Sequence, residues 1–338
     1  MYAILVEALA SAVTWSWWLG DAVARQHANT THCLAAAGGA HGEPRQQWAA
    51  VWTACGWPHT VAVAVACVLA LALFVGTLAR IGRWTRTRGR NIADRYHSEA
   101  EILAAIRGAG IEVLDVSVAV DFTASNATNG RRTFGGRSLH DVSRPDAPNP
   151  YQRVIRVLQR CVAKFDDDGM IPAWGFGDDK TRGRHTFNLN PEGGSCAGFD
   201  ALHAAYEVQA TERTLSGPTS FAPAIRAACA AMKRQDARSL HMLIIVCDGA
   251  VTERRETTRA IVEAARFPLE IVCVGVGDGP WDEMERYDDE LPERAFDNFQ
   301  FVRWTPRKSD AQLTTELLQE LPEAVERMRA LGLLPPRD

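Results

Sequence analysis

Two nearly continuous apolar runs, residues 240–247 and 269–276, restrict the folds open to this chain more than any other feature. Each is of strand length and rich in β-branched residues. Neither alternates with polar positions, which marks strands buried on both faces. Such strands need a helical layer on each side. Helical spacing appears over 94–107, 150–165, 199–207, 222–233, 256–266 and 311–331, and further strands are predicted over 113–120, 170–176 and 300–304. In the second of those helices Val154, Ile155, Leu158, Cys161 and Val162 share one face. The order predicts an α/β fold with a doubly wound, mostly parallel sheet. There is no internal repeat, and the polar, Gly/Pro-rich stretch 130–148 reads as a surface loop.

Open parallel sheets bind ligands beyond the carboxyl ends of their strands. One predicted strand there runs straight into Asp121, Thr123 and Ser125, while Asp248 ends the run 240–247. Thr219 follows Gly217 and Pro218 in a loop before a helix. A donor set of oxygens, without His or Cys, favours Mg²⁺ or Mn²⁺ over Zn²⁺. Two carboxylates balance the ion's charge, and the hydroxyls add reach without neutralising it further. Mg²⁺ usually keeps some of its waters, so a carboxylate from outside can replace one. The plainer reading has Asp121 capping the next turn, with Thr123 and Ser125 satisfying backbone groups. An isolated D-x-T-x-S favours that reading, but the three segments together favour an incomplete cation site at Asp121, Thr123, Ser125, Thr219 and Asp248.

Other signals are weaker. A formal net charge of -4 over 338 residues argues against a general nucleic-acid binder. None of the eight cysteines forms a C-x-x-C pair, and Cys161, Cys229, Cys247 and Cys273 read as small buried hydrophobes. The glycines at 275, 277 and 279 follow a strand, but Pro280 and the acids after it would repel a pyrophosphate. Asp178 and Asp179 read as solvated loop carboxylates, and the acidic run 282–293 as a solvated helix and loop surface. His140, His185, His203 and His241 share no metal-ligand spacing and read as solvated or internally satisfied. Ser138, Ser195 and Ser216 lack a nucleophile elbow, and no Ser-His-Asp or Cys-His set is evident. The expectation is therefore a protein that is not an enzyme.

The amino-terminal quarter is of another kind. Within 58–80, residues 61–79 are an unbroken apolar run that as a helix would rise roughly 28 Å, close to the hydrocarbon thickness of a bilayer. A buried helix of a soluble core would carry polar punctuation, so a transmembrane helix is expected. Arg80, Arg83, Arg86, Arg88, Arg90 and Arg95 follow, forming a basic juxtamembrane linker over 81–96 and placing the remainder in the cytoplasm by the positive-inside rule. Residues 1–22, closed by Trp15, Trp17 and Trp18, read as a first spanning helix, with a cleaved signal or a non-spanning segment as alternatives. If both segments span, 23–57 is an extracytoplasmic loop in which Asn29 becomes a glycosylation acceptor and Cys33 a partner for Cys55.

Several motifs, in order, resemble the von Willebrand factor type A (VWA) domain of the copine type, also found in plant RING-containing ubiquitin ligases. They are Val120-Asp-Phe-Thr-Ala-Ser-Asn126, Ser138-Leu-His140, Asn149-Pro-Tyr151, Gly175-Phe-Gly177, Gly217-Pro-Thr-Ser-Phe-Ala-Pro223 and Cys247-Asp-Gly-Ala-Val-Thr252. The resemblance covers residues 97–307, leaving 308–338 as a closing helix and tail. It implies that the family's metal-ion-dependent adhesion site falls on Asp121, Thr123, Ser125, Thr219 and Asp248. Copines carry calcium-binding C2 domains that do not fit in the first 95 residues, and no cysteine follows Cys273 to build a RING. The expected function is thus a membrane-anchored, cytoplasm-facing domain that binds a protein partner's Asp or Glu through the cation. The alternatives are a non-catalytic or substrate-recruiting subunit of a ubiquitin ligase assembly, and a metal-independent membrane scaffold.

Overall fold

The computed structural model describes residues 92, 95–166, 168–234, 239–249, 251–291 and 294–337. The apolar segments within 1–22 and 58–80, and the loop 23–57, lie outside them. No helix among the described residues is long and apolar enough to cross a membrane.

The elements in chain order are α1 (Glu99–Gly108), β1 (Asp115–Asp121), a 3₁₀ turn (Ala124–Ala127), α2 (Pro150–Val162), β2 (Met170–Ile171), β3 (Ala173–Phe176), β4 (Thr186–Asn188) and β5 (Cys196–Ala197). They continue with α3 (Gly198–Glu212), α4 (Ala222–Arg234), β6 (His241–Cys247), α5 (Arg254–Ala264), β7 (Leu269–Gly275), α6 (Asp282–Asp289), β8 (Phe299–Arg303), α7 (Asp310–Leu318) and α8 (Leu321–Ala330). Six strands form one sheet in the order β4-β3-β1-β6-β7-β8. All its pairings are parallel except that of β4 with β3. The doubly wound, mostly parallel sheet expected from the apolar runs is therefore observed.

Strand alternation explains why those runs lack polar positions. Val116, Val118 and Val120 of β1, with Met242, Ile244 and Val246 of β6, face a layer containing α1, α2, α3, α7 and α8. Ala119, Leu243, Ile245 and Cys247 face the opposite layer of α4, α5 and α6. Every residue of β6 and β7 is buried.

Side-chain caps set several boundaries. Ser98 Oγ accepts from the Glu101 amide, so α1 begins at Glu99 and not at the expected 94. Asn149 and Gln152 form a capping box on α2, and Ser309 and Gln312 form another on α7. Two expected elements divide at proline. The strand predicted over 170–176 breaks at Pro172, which cannot donate to a ladder. Met170–Ile171 pairs instead with β5, while Ala173–Phe176 joins the main sheet. The single closing helix predicted over 311–331 is two, because Pro322 fits only in the first turn of a new helix. The antiparallel edge strand β4 had no sequence signal: it is three residues long and only partly buried.

The end of the basic linker packs onto the domain. Ile92 is buried and its amide donates to Asp297 Oδ2 at 3.0 Å. Arg95 pairs with Glu323 at 2.9 Å.

Candidate functional site

β1 and β6 are parallel neighbours, with Val120 opposite Val246. Asp121, the last residue of β1, and Asp248, the first after β6, thus emerge side by side at the carboxyl edge, both fully buried. Asp121 Oδ1 accepts from the Thr123 amide at 2.8 Å, turning the chain away from the strand. Thr123 and Ser125 hydroxyls lie 3.1 Å apart. The Asp248 backbone amide also donates to the Asp121 carboxylate. Asp121, Thr123, Ser125 and Asp248 are therefore joined by direct hydrogen bonds. The loop that carries Thr219 meets this segment three residues earlier, where Ser216 bridges Thr123 and the Ser216 carbonyl accepts from Ala124 at 2.6 Å. The Thr219 amide donates to Thr252 Oγ1, and its carbonyl accepts from the Thr252 and Glu253 amides.

The electrostatics at this edge are unfavourable as they stand. Burial, and then the neighbouring Asp248 charge, push the Asp121 carboxyl from 3.8 up to about 8, against opposing hydrogen bonds from Thr123 and Asp248. Asp121 Oδ2 is buried and has no hydrogen-bond partner. A buried acceptor without a donor costs about 1–3 kcal/mol. Two buried carboxylates, an unmatched oxygen and two adjacent hydroxyls form a donor set that fits a small hard cation. Among the described residues, no group of three or more His, Cys, Asp or Glu side chains is placed to hold a metal. Any cation here would therefore rely on hydroxyl oxygens as well.

The support beneath the edge was not visible in the sequence. His140 Nε2 lies 2.7 Å from the Asp121 carbonyl and Nδ1 lies 2.9 Å from Tyr206 Oη. A carbonyl only accepts, so Nε2 carries the proton and Nδ1 accepts from Tyr206. Burial lowers the His140 pKa to about 4, so the ring stays neutral. It stacks between Phe122 and Tyr151, at 4.6 and 4.2 Å between centroids. Tyr151 donates to Asn126 Oδ1 at 2.6 Å, and Asn126 Nδ2 donates to the Thr123 carbonyl at 3.2 Å. The expectation of an internally satisfied His140 holds, yet its partner is the main chain of a candidate ligand. Asn129 plays the same part for the other acid, its Nδ2 donating to the Asp248 carbonyl at 2.9 Å.

One reading of a loop acid changes. Asp178 is buried, not solvated: its carboxylate takes the Thr181 amide at 2.9 Å, the Thr181 hydroxyl, and Arg213 at 3.0 Å. Within the acidic run, Asp282–Asp289 forms α6, whose Met284 and Tyr287 are buried. The glycine at 277 has φ 89, and a Cβ there would lie 2.6 Å from the Asn129 carbonyl. Close packing against Asn129 accounts for that glycine.

The Copine family model matches residues 138–337. The chain is 40% identical over 263 residues to the E3 ubiquitin-protein ligase RGLG5 of Arabidopsis thaliana, covering 72% of this chain and 60% of that protein. It is 44% identical over 245 residues to Copine family protein 1 of Caenorhabditis elegans, covering 69% and 22% respectively. The crystal structure of the SpRpn10 VWA domain, 11% identical, aligns over 62% of this chain and 93% of that one, with a TM-score of 0.42. The chain spans about three-fifths of the length of the first Arabidopsis relative and 54% of RGLG1. The expectation that the chain is not an enzyme is overturned by these relatives, which are named as ubiquitin-protein ligases and hence as enzymes. With the family model matched over residues 138–337 and this level of identity to ligase and copine relatives, the chain belongs to the copine family.

Proposed function

We propose that this copine domain captures an acidic side chain of a protein partner at the carboxyl edge of its sheet and presents that partner for ubiquitin transfer. The observation that carries the reading is the Asp121–Asp248 pair, with Asp121 Oδ2 lacking a donor in a buried position. Asp121, Thr123, Ser125, Thr219 and Asp248 would hold a Mg²⁺ or Mn²⁺. When bound, the cation would supply a coordination position that an incoming carboxylate can fill. The chain's own part is to hold the oxygens in place. Thr123 fixes the Asp121 rotamer, His140 grips the Asp121 carbonyl, and Asn129 grips that of Asp248.

Ubiquitin transfer enters from the names of the Arabidopsis relatives. Whether this chain carries the transfer itself or serves a ligase assembly, capture of the protein to be modified is the step its domain suits. The apolar segment 58–80 would hold the domain at a membrane, with the arginines after it on the cytoplasmic side.

Thermal melting of the full-length protein in detergent tests the site. Mg²⁺ at a hundredfold excess over its Kd should add about 2.7 kcal/mol of stability, and Asp121→Asn should abolish that gain. Melting that ignores both Mg²⁺ and Mn²⁺ would remove the metal-dependent reading.

A further inference from the structure

A cleft of about 480 Å³ opens beside this edge, lined by Phe134, Arg137, Arg144, Pro150, Arg153 and Trp304 together with Thr133, Gly135 and Pro306. Its lining contains three arginines and no acid. Its size falls in the range of ligand sites, roughly 300–1,000 Å³. We propose that this cleft is a second recognition site, which takes a phosphorylated side chain of a protein partner.

The arginines are held in different ways. Arg137 stacks on Phe134, its guanidinium 3.8 Å from the ring centroid, and also donates to Asp141 Oδ2 at 3.2 Å. Asp141 is itself tied by its other oxygen to the Ser143 amide and hydroxyl, so Arg137 is fixed before any ligand arrives. Arg153 donates from Nε to the Pro148 carbonyl at 3.1 Å, and among the described residues no carboxylate pairs with it. Arg144 meets Asp146 at 3.6 Å with both side chains more than half exposed, a contact of little energetic weight. Pro150 and Arg153 lie in the first turn of α2, so the positive end of that helix adds to the field of the guanidinium groups.

The existing partners decide the chemical class. A carboxylate ligand would only exchange one monoanion for another at Arg137 and Arg144. A phosphate ester carries about -1.5 to -2 charges and three acceptor oxygens, so it can engage Arg153 while outcompeting Asp146. Phe134 and Trp304 supply apolar wall for the rest of the residue that bears it.

The cleft is also fastened to the first site. The loop forming its wall leaves from Asn129, which holds the Asp248 carbonyl, and returns at His140, which lies against the Asp121 carbonyl. Binding in the cleft uses no cation and does not depend on the metal-dependent reading.

The test is titration of the full-length protein with O-phosphoserine, followed by ³¹P NMR, with inorganic phosphate and phosphoinositide vesicles as comparison probes and glutamate measured by its displacement of bound O-phosphoserine. Saturable O-phosphoserine binding is expected in the presence of EDTA, tighter than glutamate by on the order of tenfold or more given charge-assisted contacts. Arg153→Gln and Arg144→Gln should each weaken it by on the order of tenfold. Arg259→Gln, an exposed position on α5, should leave it unchanged. Equal affinity for glutamate and O-phosphoserine would overturn the proposal, as would insensitivity to both arginine variants. Binding confined to the phosphoinositide vesicles would also overturn it.

Discussion

Two regions of this domain bury carboxylates, and they resolve the resulting repulsion in opposite ways. At the carboxyl edge of the sheet, Asp121 and Asp248 sit together among hydroxyls and amides. Around the starts of β7 and β8, Glu270, Asp297 and Glu320 are buried with Arg294, which is itself fully buried and lies 2.7 Å from Asp297. Burial and mutual repulsion push Glu320 up to about 11 and Asp288 up to about 7, with Arg294 pulling both down. Glu270 is raised well above its ordinary value, and neither of its carboxyl oxygens has a hydrogen-bond partner. The second region thus contains its own cation and closes over it, with the Ile92 amide adding a donor to Asp297. At the first, no cation pairs with Asp121 among the described residues. Burial of acid alone does not mark a binding site; the difference lies in whether the fold supplies the neutralising group.

The sharpest way to break this contrast is to take the internal cation away. Arg294→Met should cost about 3–5 kcal/mol, because it strands a buried carboxylate beside a like charge. Urea denaturation measures it, and a loss below about 1 kcal/mol would mean the buried acids do not need the guanidinium.

Next in size is the pH response of the cation-free edge. The Asp121 carboxyl is raised in the folded protein, so its unfavourable contribution is absent below its unfolded value near 3.8. That contribution grows with pH and is complete once the pH passes about 8. In EDTA the melting temperature should fall over this window, and Asp121→Asn should flatten the fall. Part of the decline belongs to Asp288, raised to about 7, and will persist in the variant. A parallel decline in both proteins would show that Asp121 does not feel Asp248.

The smallest effect probes the support. Tyr151→Phe removes the hydroxyl that donates to Asn126 Oδ1, leaving that buried acceptor short of a donor at a cost of about 1–3 kcal/mol. Its melting temperature in EDTA should drop with only a minor change in Mg²⁺ response, since no candidate ligand atom is lost.

Much of this was legible in the chain because β6 and β7 are buried on both faces and cannot hide their apolar continuity. Asp121 and Asp248 were legible for a related reason, each standing where an apolar run stops. Elements held by few residues were not, as with β4 at the sheet edge and the division of 170–176 at Pro172. His140 gave no signal of its role because its partners, the Asp121 carbonyl and Tyr206, lie 19 and 66 positions away. Arg294 and Glu270 were passed over for the same reason: a local pattern does not reveal which distant charges a residue will meet. The membrane expectation for 58–80 falls outside the described residues.

The loop between Asn129 and His140 is tied down along its length. Asn129 and His140 hold carbonyl groups at its ends, Asp278 takes the Arg132 and Thr133 amides within it, and none of these contacts engages the Asp121 carboxylate. Loop residues outside these contacts can therefore be rewritten without moving Asp121. Within such a design, relatives could acquire new client specificities by editing a few residues of one tethered ribbon, while the anchoring chemistry is passed on unaltered.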